Sequence, residues 1–594
     1  SNPFKQTEWI TLQTAGARGP NMSTSCGSSR LYYPYRALGL VTDGVPFVLN
    51  RLGEASFVTV STGHAFQILD AAHLRVVMGS PPIPDRVRCL AARGDKFTYV
   101  GTGHHVLSWR RLSCQGALGE HPGEVTHLLV LGHLIISACD GGRLRAWRLE
   151  RRFFPRQGPM RTKAGESGAG GESSNGGGGG NLDGSAANNA AASSDSDDDD
   201  DDDKDSNVSS GNTEERRRRR RGGALSAMMT DIALPPGFVP SALVHPPTYL
   251  NKVVLGSTAG VLGLWNIRTG KRIHMFRCLD AANVPDLAAA DAAAAAGSAA
   301  ASAAVGAASS GTAKAGITAL EPSPALDVAA VGLANGAVCL VNLRLDVLLF
   351  CFRQRGPVMA LAFRTDVGAA SLPMLASGAS DGGRIHLWDL KERRLHHSMR
   401  CHEKPISALA FLPGEPVLLT ASPDNALKMW VFDAADGTAR LLRGREGHSA
   451  PPRRVRYVGG GIASAAAGGE GAEALAVLSA GEDQTFRLFH TVRDCLSAEL
   501  SQKALLKVNR KHEVTREAAR LRPVVAFASC DARARDWADV VTAHDHDPNC
   551  YVWSSERRAA GKFVLRQPHW TAGNAMMHAA DPKTFALSVC VSAC

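Results

Sequence analysis

One stretch of this chain, Leu375 to Trp430, restricts its fold more than any other. It opens LASGASDGGRIHLWDL, continues CHEKPISALAFLPG and closes LLTASPDNALKMW. Short alternating runs are cut by turns of Asp, Gly, Pro and Asn. Ser380-Asp-Gly-Gly383 precedes a run that ends in Trp388-Asp389, and Pro423-Asp-Asn425 precedes one that ends at Trp430. Runs this short, with period two and such turns, read as strands of one small sheet. The sheet has two apolar faces and cannot bury both alone, so it implies neighbours in a ring, the arrangement of a β-propeller.

Comparable units recur. They open near Tyr35, 84, 122, Ala242, Ile317, Val358, Ile406, Arg454 and Val524, and a last one starts at Ala586. Ten units at roughly 44 residues each exceed what one ring of about four to eight blades holds. The expectation is an all-β chain of tandem propellers with disordered low-complexity inserts. A flexible lead-in covers 1–34, a first ring of about seven blades covers 35–433, and a partial second ring covers 434–594. An open ring leaves adhesive edges, so further blades beyond this chain are expected to complete the second one. A helix is expected around Leu496–Leu506.

Two segments break the periodicity. Residues 154–227 are Gly, Ser, Ala and Asn, then an Asp run (Asp197–Asp203) and a basic hexamer, Arg216, Arg217, Arg218, Arg219, Arg220 and Arg221. Residues 281–314 are nearly all Ala, Gly and Ser. Such composition buries too little apolar area to offset chain entropy. Both are expected to be disordered loops between blades.

The chain of 594 residues carries 66 Lys and Arg against 56 Asp and Glu, a net charge of +10. That excess favours an anionic partner. The basic hexamer is the strongest candidate for nuclear targeting or phosphate contact, with Arg453 and Arg454 as a smaller basic edge. Thirteen cysteines include no CxxC, and only Cys590 and Cys594 lie close together; buried reduced thiols are expected. No apolar run is long enough to span a membrane. No P-loop, GxSxG or kinase motif set is present, so no cofactor and no small-molecule substrate is expected.

Several groups have the spacing of chemistry. His402, Asp424 and Trp430 fall before the first strand, in the turn before the third strand and at that strand's end; Asp381 and Trp388 match in the preceding unit. His448 with Asp483, and His121 with Asp140 and Trp147, repeat the pattern. A recurring constellation is expected to be a structural relay that satisfies buried polar groups rather than a catalytic site. His544-Asp-His-Asp547 has metal-ligand character but no distant third ligand, and is expected to be an exposed hairpin loop.

Tyr35-RALGL40, His245-PPTYLNKVVLGS257, Ala360-LAFRTD366, Asp381-GGRIHLWDL390, Asp424-NALKMWVFD433 and Arg440-LLRGREGHSAP451 together resemble the family of WD-repeat protein thirty-six and U3 snoRNA-associated protein twenty-one. The resemblance implies a non-enzymatic tandem-propeller scaffold in the UTP-B part of the small-subunit processome. It implies action in the nucleus and nucleolus on 18S pre-rRNA, with other propeller subunits and, directly or through them, U3 snoRNA and pre-rRNA as partners. Family members are longer and end in a helical domain. Another class of propeller scaffold, a ubiquitin-ligase substrate receptor, fits the repeats equally. Replacing Arg216–Arg221 by Gln is predicted to lower nucleolar retention or RNA crosslinking; unchanged values of both would show that the hexamer has no such role.

Overall fold

A computed structural model describes residues 37–94, 96–149, 226–280, 315–366, 373–434, 437–458, 476–491, 494–503, 520–530 and 537–566. The lead-in before residue 37, the basic hexamer, the Ala-rich segment and the unit at Ala586 lie outside them. Among the described residues the chain forms nine sheets, each of four antiparallel strands. In chain order they span 48–79, 87–120, 125–233, 240–275, 317–353, 358–400, 408–446, 452–499 and 524–565.

The second strand of each sheet explains the architecture. Val417–Ser422 and Met374–Ala379 are buried at every position, so both faces of the strand need cover. Fourth strands carry exposed positions: Arg440–Glu446 is almost wholly exposed. Each sheet therefore packs flat between two neighbours, with its outer strand at the rim.

Seven apolar clusters fill the successive wedges of the first seven sheets. Phe66 and Ile68 meet Val87 and Val100 between the first and second sheets, and clusters of the same kind fill the next five gaps. The seventh cluster returns to the start: Val58, Val60 and Leu69 of the first sheet pack on Leu419, Leu427 and Met429 of the seventh. The first ring therefore has seven blades and is closed.

Closure uses no shared sheet, because the first and seventh sheets each hold four consecutive strands of their own. A polar clamp adds to the apolar wedge. Asn425, in the left-handed region at φ 64°, accepts from the backbone N–H of Val41 (2.6 Å) and Thr42 (3.2 Å). Its amide donates to the carbonyls of Gly39 (2.9 Å) and His448 (3.0 Å). Gly39 has φ 73°, and a Cβ there would lie 2.5 Å from the Phe489 ring of the eighth sheet. A Cβ on Gly447 would strike the Gly39 carbonyl. Both positions need glycine because the segment Gly39–Thr42 passes between the seventh and eighth sheets.

The eighth and ninth sheets share one more apolar cluster, with Leu478 and Phe486 against Phe527, Val540 and Trp553. Among the described residues these two sheets are the only blades beyond the first ring. Charge joins them to the first ring. Arg445 pairs with Asp494, Arg487 lies 3.7 Å from Glu446, and Arg520 lies 4.0 Å from Glu403.

Four expectations change. Of the unit that opens at Tyr35, the described residues Ala37–Leu40 form no strand; the first described strand is Val48–Leu52. The Asp- and Arg-rich segment does not separate two blades. It interrupts the third sheet, whose third strand ends at Leu149 and whose fourth is Ser226–Ala233. The seventh sheet runs to Glu446, past Asp433, because Arg440–Glu446 pairs with Ala426–Val431. Of the helix expected at Leu496–Leu506, the N-terminal part is instead a 3-10 turn, Asp494–Leu496, and the edge strand Ala498–Glu499; Lys503 is helical, and residues 504–506 lie outside the described ones.

The clamp sets a measurable contribution. Asn425→Gly keeps the φ angle and removes the side-chain bonds, leaving the buried Val41 and Thr42 N–H groups unpaired. It is predicted to lower the stability of the first ring by about 1–3 kcal/mol in urea unfolding. Leu419→Ala, in the same wedge, should cost about 2–5 kcal/mol.

Candidate functional site

His402, Asp424 and Trp430 meet inside the seventh sheet, near the end where its second and third strands are joined. The Asp424 carboxylate accepts from His402 Nδ1 at 2.9 Å, from Glu403 N at 3.0 Å and from Ala426 N at 3.1 Å. This fixes the proton on Nδ1, so Nε2 is left to accept from the Thr420 hydroxyl at 2.8 Å. The same hydroxyl oxygen accepts the Trp430 indole N–H at 3.2 Å. Burial pushes the Asp424 carboxyl up, but the His402 hydrogen bond and charge and the Glu403 N–H outweigh it, so the group titrates below its usual range.

The other units reuse the hub with different parts. In the eighth sheet His448 reaches Asp483 at 3.2 Å and Ser479 Oγ at 3.0 Å, and Phe489 takes the place of the tryptophan. Burial raises the Asp483 carboxyl, while His448 and Thr485 lower it to about 2. In the third sheet Ser137 Oγ takes His121 Nε2 at 2.9 Å and Trp147 Nε1 at 2.8 Å. Asp140 is exposed in its turn and His121 Nδ1 has no partner, so this relay stops at the imidazole. In the sixth sheet Gln354 stands where the histidine would be. Its Oε1 accepts from Ser377 at 2.5 Å, and Trp388 donates to Ser377 at 2.8 Å. Asp381 is exposed in the turn and makes no relay contact.

His544 belongs to this series and not to a metal centre or an exposed loop. It is buried, its Nε2 lies 2.9 Å from Thr542 Oγ1, and Trp553 donates to that oxygen at 2.7 Å. Its Nδ1 donates to the Arg522 carbonyl at 2.5 Å. His546 points to solvent, and Asp547 is taken by the Tyr551 hydroxyl at 2.8 Å. Among the described residues no three His, Cys, Asp or Glu side chains are grouped to hold a metal.

The hub hydroxyls Thr420, Ser479, Ser137, Ser377 and Thr542 escape a reading of the sequence alone. Each lies mid-strand among small and apolar residues. The available signal is a Ser or Thr ten or eleven residues ahead of an indole.

An Asp–His–hydroxyl line is also the order of groups in nucleophilic acyl transfer. That chemistry needs a hydroxyl open to a substrate carbonyl. Thr420 has no exposed surface and its oxygen is held by an imidazole and an indole. The cavity between Asp424 and Asp483 has a volume of only ≈50 Å3, room for a water molecule rather than a substrate.

The two basic candidates in the described part lie together on Pro452–Val458, the exposed inner strand of the eighth sheet. Arg453 pairs with Glu482 at 3.1 Å and Arg454 donates to the Val525 carbonyl at 2.9 Å. Next to them, Arg456 sits over the Phe527 ring at 5.9 Å. The described cysteines are free thiols, and burial pushes Cys89 and Cys401 up to about 12. No described helix is long and apolar enough to cross a membrane.

Residues 213–433 match the family model of the WDR36/Utp21 first β-propeller. Three curated relatives agree. The U3 small nucleolar RNA-associated protein 21 homolog of Schizosaccharomyces pombe is 27% identical over 95% of this chain and 48% of its own length. The human WD repeat-containing protein 36 is 28% identical over 91% and 47%. The Saccharomyces cerevisiae U3 small nucleolar RNA-associated protein 21 is 23% identical over 91% and 46%. The chain thus spans about half the length of the curated relatives it matches.

Within the third sheet, His121 is predicted to make stability pH-dependent. Burial, then the Arg145 charge, lower its pKa from 6.5 to about 4. Above pH 6.5 both folded and unfolded chains hold it neutral. Between 6.5 and 4 the unfolded chain takes a proton that the folded site refuses, so stability falls as pH drops through that window. His121→Gln, the solution already used at Gln354, should stay within about 1 kcal/mol of the parent at pH 7 and lose less stability on going to pH 5. Thr420→Val, which orphans His402 and Trp430 together, should cost about 1–3 kcal/mol.

Proposed function

We propose that this chain is the propeller portion of a non-enzymatic scaffold of the small-subunit processome, in its UTP-B part, serving 18S pre-rRNA processing in the nucleolus. The observation that carries this reading is the similarity of nearly the whole chain to proteins whose names tie them to U3 small nucleolar RNA. The interior supports it. The histidines, carboxylates and hydroxyls that could do chemistry are spent on holding blades, and their environments are sealed. What remains for interaction is the surface of the rings.

Two further assignments belong to the same proposal. Residues 35–433, extended to Glu446 by the last strand, act as one interaction module, and the two sheets between Pro452 and Leu565 belong to a second module. The bare faces fit that use: Val455 and Tyr457 on the inner strand of the eighth sheet are 56% and 71% exposed, and Trp537 and Phe563 stack at 6.2 Å on the ninth. Arg454 and Arg456, on the inner strand, together with the hexamer Arg216–Arg221, are the proposed contacts to RNA phosphate.

Affinity purification of the tagged chain, read by mass spectrometry and RNA sequencing, tests the reading. Small-subunit assembly factors and U3 snoRNA are the expected catch. Cullin adaptors in their place, without U3 snoRNA, would overturn it in favour of a ubiquitin-ligase receptor.

A further inference from the structure

An open cavity of ≈620 Å3 lies at the rim between the fourth and fifth sheets, away from the relays. It is bounded by the turns that lead from first to second strand in both sheets and by the third-to-fourth turn of the fifth. Those turns lie at the end of the ring opposite the relay turns. Leu250, Leu326 and Leu345 sit on these three turns with 86%, 72% and 68% exposure. They are the three most exposed leucines among the described residues; Leu345 lines the cavity with Ile273, while Leu250 and Leu326 sit on the turns that bound it. Scattered exposed leucines are ordinary, whereas a group around a cavity marks a contact surface.

The charges in the cavity are unequally satisfied. Asp346 accepts from Arg277 N (3.1 Å), Cys278 N (3.0 Å) and His274 Nε2 (2.9 Å). Those bonds, together with burial that opposes them, leave its carboxyl titrating below the usual range. Asp327 is engaged by the Tyr249 hydroxyl. The cations are less occupied. Lys252 lies over the Tyr249 ring at 5.2 Å, and the Arg344 guanidinium, on an exposed residue, has no described carboxylate partner. An incoming carboxylate would therefore meet two available cations, and an incoming apolar side chain would meet Leu345 and Ile273, with Leu250 and Leu326 on the bounding turns.

We propose that this cavity is a docking site for a linear peptide of a partner protein in which apolar side chains alternate with carboxylates. Nucleic acid fits less well. A phosphate chain would meet the cations but leave the exposed leucines bare, whereas an acidic apolar strand meets both the cations and the apolar rim. The site is distinct from the proposed RNA contacts, which lie on the eighth sheet and in the hexamer, so it stands or falls separately from the processome reading.

A short fluorescein-labelled peptide of alternating leucine and glutamate, titrated against the full chain and followed by anisotropy, tests this. Binding to the parent is expected. Lys252→Glu with Arg344→Glu should weaken it at least tenfold, and Leu345→Asp should do the same, with the thermal midpoint of each variant unchanged. A peptide of alternating leucine and lysine should not bind. Any of four results would overturn the proposal: no binding of the acidic peptide, equal binding of both peptides, equal affinity in the folded charge variant, or displacement of the acidic peptide by an oligoribonucleotide. Concentration-dependent self-association that is lost in Leu345→Asp would also overturn it, by assigning the leucines to a second copy of the chain.

Discussion

A strand buried on both faces cannot end a stack. Val417–Ser422 and Met374–Ala379 have no exposed position, so the sheets that hold them must be covered on each side. A row of such sheets satisfies every member only by curving until the last meets the first. The cluster of Val58, Val60, Leu419 and Leu427 is that meeting point. Everything else in the first ring follows: the exposed fourth strands at the rim, the tight turns at both ends and the absence of room for a substrate within a blade.

Polar groups inside such wedges need partners as much as apolar groups need cover. The ring meets this need with one hydroxyl per relay, able to donate to an imidazole or amide while accepting from an indole. The indole is dispensable when a phenyl ring fills its place, as at Phe489. The histidine can come from the connection before the sheet, as at His402, or from the second strand itself, as at His544. It can also be a glutamine. These exchanges identify the relay as a packing device, since catalysis would not tolerate loss of the base. Apolar contact dominates within rings, while the described junction between the two units is built of ion pairs and the segment Gly39–Thr42.

Much of this was legible in the residues. The turns and terminal tryptophans of 375–430 imply the fold, the repeat spacing implies the seven-blade ring, and His402, Asp424 and Trp430 point to the relay. What escaped has physical causes. Fourth strands are held mostly by backbone bonds at the rim, so their side chains need no alternation; RLLRGRE at 440–446 reads as a polar linker for that reason. The interruption of the third sheet looked like a spacer between blades because Ser226–Ala233 returns after many residues without periodicity. Asp140 and Asp381 share the spacing of Asp424 but face solvent, because a turn offers a carboxylate two directions and spacing does not choose between them. His544 reads as part of an exposed hairpin loop because the groups that bury it, the Arg522 carbonyl and the hydroxyl shared with Trp553, leave no pattern in the polar His-Asp-His-Asp run itself.

The passage of Gly39 between Asn425 and Phe489 sets an order on biosynthesis. Residue 39 leaves the ribosome early, but the side chain that holds its carbonyl is 386 residues further along. At about 5–20 residues per second that delay is roughly 20–80 s, during which the first sheet waits with Val58, Val60 and Leu69 uncovered. Through that interval the nascent chain is an unclosed arc with an adhesive leading face, and chaperone occupancy during translation should be concentrated there.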